Sequence, residues 1–428
     1  MKLKIFYFII ASILYIAPSL ASEDSQYYLI LAPSANAPYH KILDKVPAEN
    51  RALIINTNGL TETQIEDLSK CHGIVQPLKN YSSCELESIA LDLAQSSSIK
   101  AIIAPAEHDI LRAARLRDYC NIPGQSYNNA LAFRDKVIMK TILAESGIRV
   151  PAYRKINNLV DILEFISGNT FPVVIKPTRG SSSKETFKCC NMEDIQDFCK
   201  SSELNSDHIS NYEVEEFIDG QMYHVDGLVV DGELKLSWVS RYKGFYLDAV
   251  EKGKIVGSCL LDKDNDLLIK LRHFTSSVLT ALSMPANSAF HLEAFIRDFD
   301  QEAVLCEIAC RVGGAGIRED FLTAFNGIDL GSAHIQMLAG ILSPDIFENI
   351  PSEPTIGTGW IELPLRKKNL KAYPSSCPFS WIKRYSVHED HSLYGSLISA
   401  FFLVESEADF ENKYVLLAEW LEKNIELL

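Results

Sequence analysis

The ten residues IKPTRGSSSK, Ile175 to Lys184, close a short apolar run, Val173-Val174-Ile175, that reads as a buried strand. A lysine stands at the strand's end, then a proline, then a loop with one glycine and three serines. The loop does not follow the G-x-x-x-x-G-K-[ST] spacing of a P-loop. Its chemistry still suits phosphate. Gly180 lets the backbone come close, and successive N–H groups with the hydroxyls of Ser181, Ser182 and Ser183 can donate to phosphate oxygens. Lys176, anchored by the strand, would act as a fixed point charge. Alone the loop is ambiguous, because glycine–serine turns after strands are common.

Working outward, strand and helix patterns alternate upstream. Tyr28–Ala32, Ala52–Ile55 and Ala101–Pro105 read as short strands, Glu85–Ala94 and Asp109–Tyr119 as helices. That alternation predicts a small parallel sheet with helices on its faces. Asn121-Ile122-Pro123-Gly124 marks a boundary, and a long helix is expected over Ala130–Glu145, stopped by Gly147 with Pro151 beyond. Downstream of Val173 strands dominate. Asp231-Gly232 between apolar runs signals a hairpin within Val225–Trp238. Phe290–Ile296 and Val304–Ile308 read as antiparallel partners across the turn Asp298-Phe299-Asp300. A helix over Leu267–Leu282, a strand over Gly359–Leu363 and a last helix over Phe410–Ile425 complete a chain of mixed class, α/β and α+β.

Composition narrows the function. In 428 residues, 41 Lys+Arg stand against 56 Asp+Glu, a net charge of −15 that argues against a nucleic-acid partner but not against a nucleotide. Lys2 and Lys4 precede an apolar run, Ile5–Ala17, and then Pro18-Ser19-Leu20-Ala21. This is the pattern of a signal peptide cleaved after Ala21, too short for a membrane span, so the chain is expected to be exported. An uncleaved anchor, or a misassigned start and a cytoplasmic protein, are the alternatives. The ten cysteines contain no C-x-x-C pair; most are expected to be small buried hydrophobes, with pairing left open.

Two carboxylates stand in apolar surroundings on the paired strands, Glu293 in His291-Leu292-Glu293-Ala294-Phe295 and Glu307 in Leu305-Cys306-Glu307-Ile308. Like charges on neighbouring strands repel unless a cation sits between them, and carboxylates with nucleotide phosphates are what Mg2+ takes. The competing reading places both on a solvated sheet edge. Arg311 follows Glu307 by four residues and could stabilise developing negative charge; equally, it could end a strand before the glycine turn Gly313–Gly316, which lacks a dinucleotide spacing. Val214-Glu215-Glu216-Phe217-Ile218-Asp219-Gly220, taken alone, reads as a solvated edge.

In order, these pieces resemble the ATP-grasp superfamily, and especially its carboxylate–amine ligases of the L-amino-acid ligase and carnosine-synthase type. The resemblance runs from about Tyr28 to the C-terminus and is strongest from Phe133-Arg134-Asp135-Lys136 to Gly316. It implies a Rossmann-like domain over 22–125 after the leader 1–21, an ATP-grasp domain over 126–345 with a lid near 170–220, and an α+β region over 346–428. Lys136 and Lys176, with Gly180, Ser181, Ser182 and Ser183, would hold the ATP phosphates. Glu215 would take the adenine amino group, and the backbone of Glu216 and Ile218 would complete the hinge. Glu293 and Glu307 would hold Mg2+, or Mn2+ in its place; Arg311 would be catalytic, stabilising the acyl phosphate, and His291 would approach the substrate. Two positions depart from the pattern. Met222 stands where many members carry a ribose-binding glutamate, and Ala309 where many carry an asparagine.

The implied reaction activates a carboxylate, from an amino acid, as an acyl phosphate and passes it to an amine, with ADP and phosphate released. The loop 178–186 would close over the nucleotide. Arg241, Tyr242 and Arg318 are candidates for the substrate pocket. The partners are ATP and small molecules, and homodimers are common in the resembled family. Two alternatives stay open: another ATP-grasp ligation or carboxylation, and an exported binding protein without turnover. Amino-acid-dependent ADP release separates them.

Overall fold

A computed structural model describes residues 26–34, 37–200, 208–244, 254–364, 370–388 and 396–427, so the expected leader lies outside the described residues. Among those described, no helix is long and apolar enough to cross a membrane.

The chain opens with β1 (Gln26–Ala32), β2 (Arg51–Asn56), β3 (Ile74–Leu78) and β4 (Ser98–Ile103), all parallel in the order β3-β2-β1-β4. The two inner strands, β1 and β2, are near-continuous apolar runs, as a sheet covered on both faces requires. β3 was not legible because it carries Gln76 and Pro77, and a proline is tolerated there because the strand is an edge. Strand order reverses between β1 and β4, which opens a crevice at their carboxyl ends. The loop leaving β4 supplies Glu107 there.

The long helix expected over Ala130–Glu145 is two helices, Tyr127–Arg134 and Lys136–Glu145. Between them Asp135 is extended (φ −98°, ψ 109°), and its carboxylate accepts from the N–H groups of Val137 and Ile138. An aspartate cap of this kind contributes about 1 kcal/mol. The break also turns the Lys136 N–H onto the Thr178 carbonyl, 2.8 Å away, so the second helix starts against the serine loop.

A second sheet, β5-β8-β6-β7, is antiparallel: β5 (Tyr153–Lys155), β6 (Val173–Pro177), β7 (Phe187–Cys189) and β8 (Tyr212–Glu216). Helices Leu159–Ser167 and Met192–Lys200 pack Ile162, Phe165, Ile195 and Phe198 onto Val173, Ile175 and Val214. β8 is thus an inner strand, not the solvated edge its two acids suggest.

The third sheet has eight strands in the order β13-β12-β9-β10-β11-β14-β17-β16. They are β9 (Gly220–Val230), β10 (Glu233–Lys243), β11 (Val256–Leu260), β12 (Ser288–Arg297), β13 (Ala303–Ala309), β14 (Gly357–Pro364), β16 (Ile382–Val387) and β17 (Ser396–Val404). A small ladder pairs β15 (Leu370–Ala372) with β18 (Glu426–Leu427). The β9–β10 turn puts Asp231 and Gly232 at φ 51° and 82°, the positive values that a two-residue hairpin turn needs. Helix Leu330–Ala339 joins the sheets, since Ile335 and Ala339 pack into the first sheet's core beside Tyr28, Ile30 and Ile103. All ten cysteines are free, but only Cys189, Cys259 and Cys310 are buried, so the expectation of mostly buried thiols fails. Strand alternation explains the adjacent pair: Cys189 points in and Cys190 out.

Candidate functional site

A narrow cleft is lined by Glu107, Arg134, Lys136, Gly180, Ser181, Glu307 and Arg311. Strand β13, paired with β12, supplies Glu307, Ile308 and Ala309 to the cleft wall. Glu293 and Glu307 are direct cross-strand partners, with a bulge just beyond Glu293. Opposed like charges destabilise a sheet, so each must be answered. Lys136 Nζ lies 2.7 Å from Glu307 Oε2 and donates to the Gly180 carbonyl at 3.0 Å. Glu293 Oε1 accepts from the Tyr242 hydroxyl at 3.0 Å and lies 3.4 Å from His291 Nε2. Burial pushes the Glu307 carboxyl up, but Lys136, Lys176 and Arg311 outweigh it and hold the group down at about 2. β13 is an edge strand, yet Glu307 lines the cleft and Glu293, its cross-strand partner on the same face, is largely buried against Tyr242 and His291, which removes the open-edge reading.

Lys176, at the end of β6, pairs with Glu215 Oε1 at 2.6 Å. The other oxygen of Glu215 is bound by Lys140, which also reaches Glu213 at 2.7 Å. Register puts Glu213 and Glu215 on one face of β8, opposite Lys176 and Val174. Lys140 and Glu213 are fully buried, so two lysines and two carboxylates neutralise one another away from water. Burial raises Glu213 against the pull of Lys140, whereas Lys140 and Lys176 together overcome burial and lower Glu215. Lys140 falls within the segment that carries the resemblance but was assigned no role in the sequence; its spacing of four from Lys136 on one helix was the available signal.

Arg311 binds Glu107 through Nε, and Glu107 also pairs with Arg134 at 2.6 Å. Arg134 goes on to the Arg179 carbonyl at 2.7 Å, while Arg179 Nε reaches Asp135 at 3.1 Å. Burial alone would raise the Glu107 carboxyl, but the two guanidiniums hold it below its ordinary range. Sequence reasoning missed Glu107; its position just past a parallel strand's carboxyl end was the clue.

His291 donates from Nδ1 to Asp226 Oδ1 at 2.8 Å, and the other Asp226 oxygen takes His224 Nδ1 at 2.5 Å. Burial lowers His291, but Asp226 outweighs it and lifts the imidazole to about 10. Gly180 and Ser181 reach the cleft. Ser182 is exposed and Ser183 stands outside the lining, where positive φ at both (55° and 52°) turns the loop away. Glu216 spends its side chain on Arg149 at 2.8 Å and on the Ala152 N–H, and Ile218 is buried. Met222 is opposite Phe295, a half-buried apolar pair. Ala309 is opposite His291. Of the pocket candidates only Tyr242 joins the site. Arg241 alternates to the other face and pairs with Glu411, and Arg318 pairs with Asp329.

An antiparallel lid sheet facing a larger antiparallel sheet, with lysines on one side and paired carboxylates on the other, is the ATP-grasp fold. Proteins that share this fold, or resemble the chain in sequence, include ligases and synthetases. No family model matches the sequence. The L-arginine-specific L-amino acid ligase of Bacillus subtilis is 28% identical over 292 residues, covering 67% of this chain and 68% of that protein. The crystal structure of an L-amino acid ligase from Bacillus licheniformis superposes with a TM-score of 0.71 at 14% identity, over 95% of this chain and 99% of that one. Carboxyaminoimidazole ribonucleotide synthase from Aspergillus clavatus, complexed with ATP, gives 0.66 at 14% identity over 93% and 99%.

Proposed function

We propose that the protein joins the carboxylate of an amino acid to the amine of a second small molecule through an acyl phosphate. The convergence of Lys136, Glu307 and Arg311 on one narrow cleft carries this reading. The name of the Bacillus subtilis relative supports an amino-acid substrate.

In this reading Lys136 and Lys176 bind the ATP phosphates. Entry of the phosphates would take Lys136 from Glu307, and the freed carboxylate with Glu293 would hold Mg2+. The donor set fits: two opposed carboxylates offer the oxygen ligands that Mg2+ prefers. The ion would neutralise phosphate charge. The substrate carboxylate oxygen attacks the γ-phosphorus, the bond to the β–γ bridging oxygen breaks and ADP leaves. The amine nitrogen then attacks the acyl carbon, the carbon–oxygen bond to phosphate breaks, and the nitrogen loses its proton. Arg311, oriented by Glu107, faces the oxyanion of that second step. The side chains position and neutralise rather than react covalently. Glu215 and the Glu216–Ile218 backbone would read adenine, and the divisions near 125 and 345 would separate the structural units.

Purified protein with ATP, Mg2+ and pooled amino acids should release ADP and phosphate, with dependence on the pool and loss in Glu307→Ala. Release of AMP and pyrophosphate would overturn the acyl-phosphate route. Export is part of the same proposal. N-terminal sequencing of the native protein tests it, with a start at Ser22 expected and a start at Met1 against it.

A further inference from the structure

We infer that His224 and Asp226 are positioning residues that set the carboxylate of Glu293 through His291, an inference that rests on the proposed metal reading of the cleft. Both lie on β9 and both are fully buried. Register places His224 opposite Glu293 and Asp226 opposite His291, all on one face of the large sheet. A chain of three hydrogen bonds results, extended to Glu293 by an ion-pair contact. Ser258 Oγ meets His224 Nε2 at 2.8 Å, and His224 Nδ1 meets Asp226 Oδ2 at 2.5 Å. Asp226 Oδ1 meets His291 Nδ1 at 2.8 Å, and His291 Nε2 stands 3.4 Å from Glu293 Oε1, which Tyr242 closes from the other side.

Energetics make the chain obligatory. An aspartate with no exposed surface cannot stay charged without partners, and each of its oxygens has one imidazole. Asp226 in turn fixes the ring of His291, so that Nε2 faces Glu293. The loop after Arg311 seals the chain: a Cβ at Gly313 would lie 2.7 Å from Asp226 Oδ1 and 2.8 Å from His291 Nδ1. Outer partners that orient a ligating side chain in this way typically govern metal affinity by 10–100-fold.

One competing reading puts an ion among His224, Asp226 and His291, whose ligand atoms lie within 4.8 Å of one another. The contacts of 2.5 and 2.8 Å argue against it. Two ligands on a tetrahedral zinc would stand about 3.3 Å apart.

The test is Mn2+ titration of the full chain loaded with a non-hydrolysable ATP analogue, with ATP affinity in EDTA measured alongside. Glu293→Gln should abolish Mn2+ binding. Asp226→Asn should weaken it about 10–100-fold, and His224→Gln in the same direction by less, with metal-free ATP affinity unchanged in both. Should Asp226→Asn not fold, His224→Gln decides alone. Loss in Glu293→Gln but wild-type affinity in both β9 variants would overturn this inference and leave the metal reading standing. Unchanged binding in Glu293→Gln would overturn both. Stoichiometric Zn2+ binding to nucleotide-free protein, lost in His224→Gln but kept in Glu293→Gln, would replace the positioning chain with an ion site.

Discussion

Lys140 is the residue whose loss the fold should feel most directly. Its ammonium is fully buried against Glu213 and Glu215. Lys140→Met keeps the volume but leaves two buried carboxylates with Lys176 alone. Breaking a buried pair from one side costs about 3–5 kcal/mol, because the remaining charge stays uncompensated. Urea unfolding should show that loss at an unchanged m-value; a change below about 1 kcal/mol would mean the lysine is not structurally required. His334 offers a pH-dependent counterpart. It is buried, its Nδ1 accepts from the Ala289 N–H at 3.1 Å, and burial pulls its pKa down to about 4. The unfolded chain therefore binds the extra proton at this histidine between about 6.5 and 4, and the contribution of His334 to stability falls as pH falls through that window, by up to roughly 3 kcal/mol. His334→Asn keeps an acceptor and cannot titrate, so its stability should be flatter between those values. The depressed carboxyls of Glu107 and Glu307 add their own loss from the acid end of that window downward, once the unfolded carboxylates begin to take up protons. An identical pH slope in the variant would remove His334 as the cause.

Among the elements, the loop between β6 and β7 is tied at its ends by Lys136 and Asn211 at Thr178 and by Tyr212 at Glu185, and between them by Asp135 to Arg179, Arg134 to the Arg179 carbonyl and Lys136 to the Gly180 carbonyl. Arg179 and Lys184 are exposed, so trypsin can reach the loop, and ATP with Mg2+ should slow cleavage there. Asp135→Asn separates two roles, because asparagine caps a helix as well as aspartate does but cannot ion-pair with Arg179. A partly exposed pair is worth up to about 1 kcal/mol, so cleavage without nucleotide should quicken about two- to fivefold. Equal rates, read by gel and mass spectrometry, would show that the pair does not restrain the loop. The same loop shows what a sequence reveals at this scale. Period and turn chemistry located β6, the Asp231-Gly232 hairpin and the β12–β13 pair, since those signals are local. They did not reveal the break at Asp135, where the Lys136 N–H bonds to Thr178, a partner distant in sequence, beside the aspartate's own local cap. For the site, Lys176, Glu293 and Glu307 stood out as charges at the end of or within apolar runs and Arg311 by its spacing from Glu307, whereas Lys136 was marked only by the family resemblance. Glu107 was not, because its significance lies in two arginines brought by other elements. Arg241 was misassigned for a simpler reason: alternation sends it and Tyr242 to opposite faces.

At the scale of the whole molecule, the first sheet and the large sheet share one salt-bridged node. Glu107 leaves β4 and clasps Arg311 at the end of β13, with Arg134 as a second cation. The sheets do not depend on that node to stay together. Helix Leu330–Ala339 packs Ile335 and Ala339 into the first sheet's core, and apolar burial of that kind survives the loss of a charge. Glu107→Gln should therefore fold with a melting temperature within a few degrees of wild type, a shift of about 1 kcal/mol for a chain of this size. Its effect should appear in the chemistry. Arg311 would keep its charge but lose the partner that fixes its direction, and misdirected oxyanion donors cost on the order of 100-fold in kcat. ATP affinity should change little, because Lys136 and Lys176, the proposed phosphate ligands, have other anchors in Glu307, Gly180 and Glu215. Steady-state turnover with nucleotide binding measured in parallel decides the matter. A drop in kcat at constant ATP affinity places Glu107 in the service of Arg311. Equal losses in both would make the node a general strut of the cleft, and the first sheet a support without a catalytic duty.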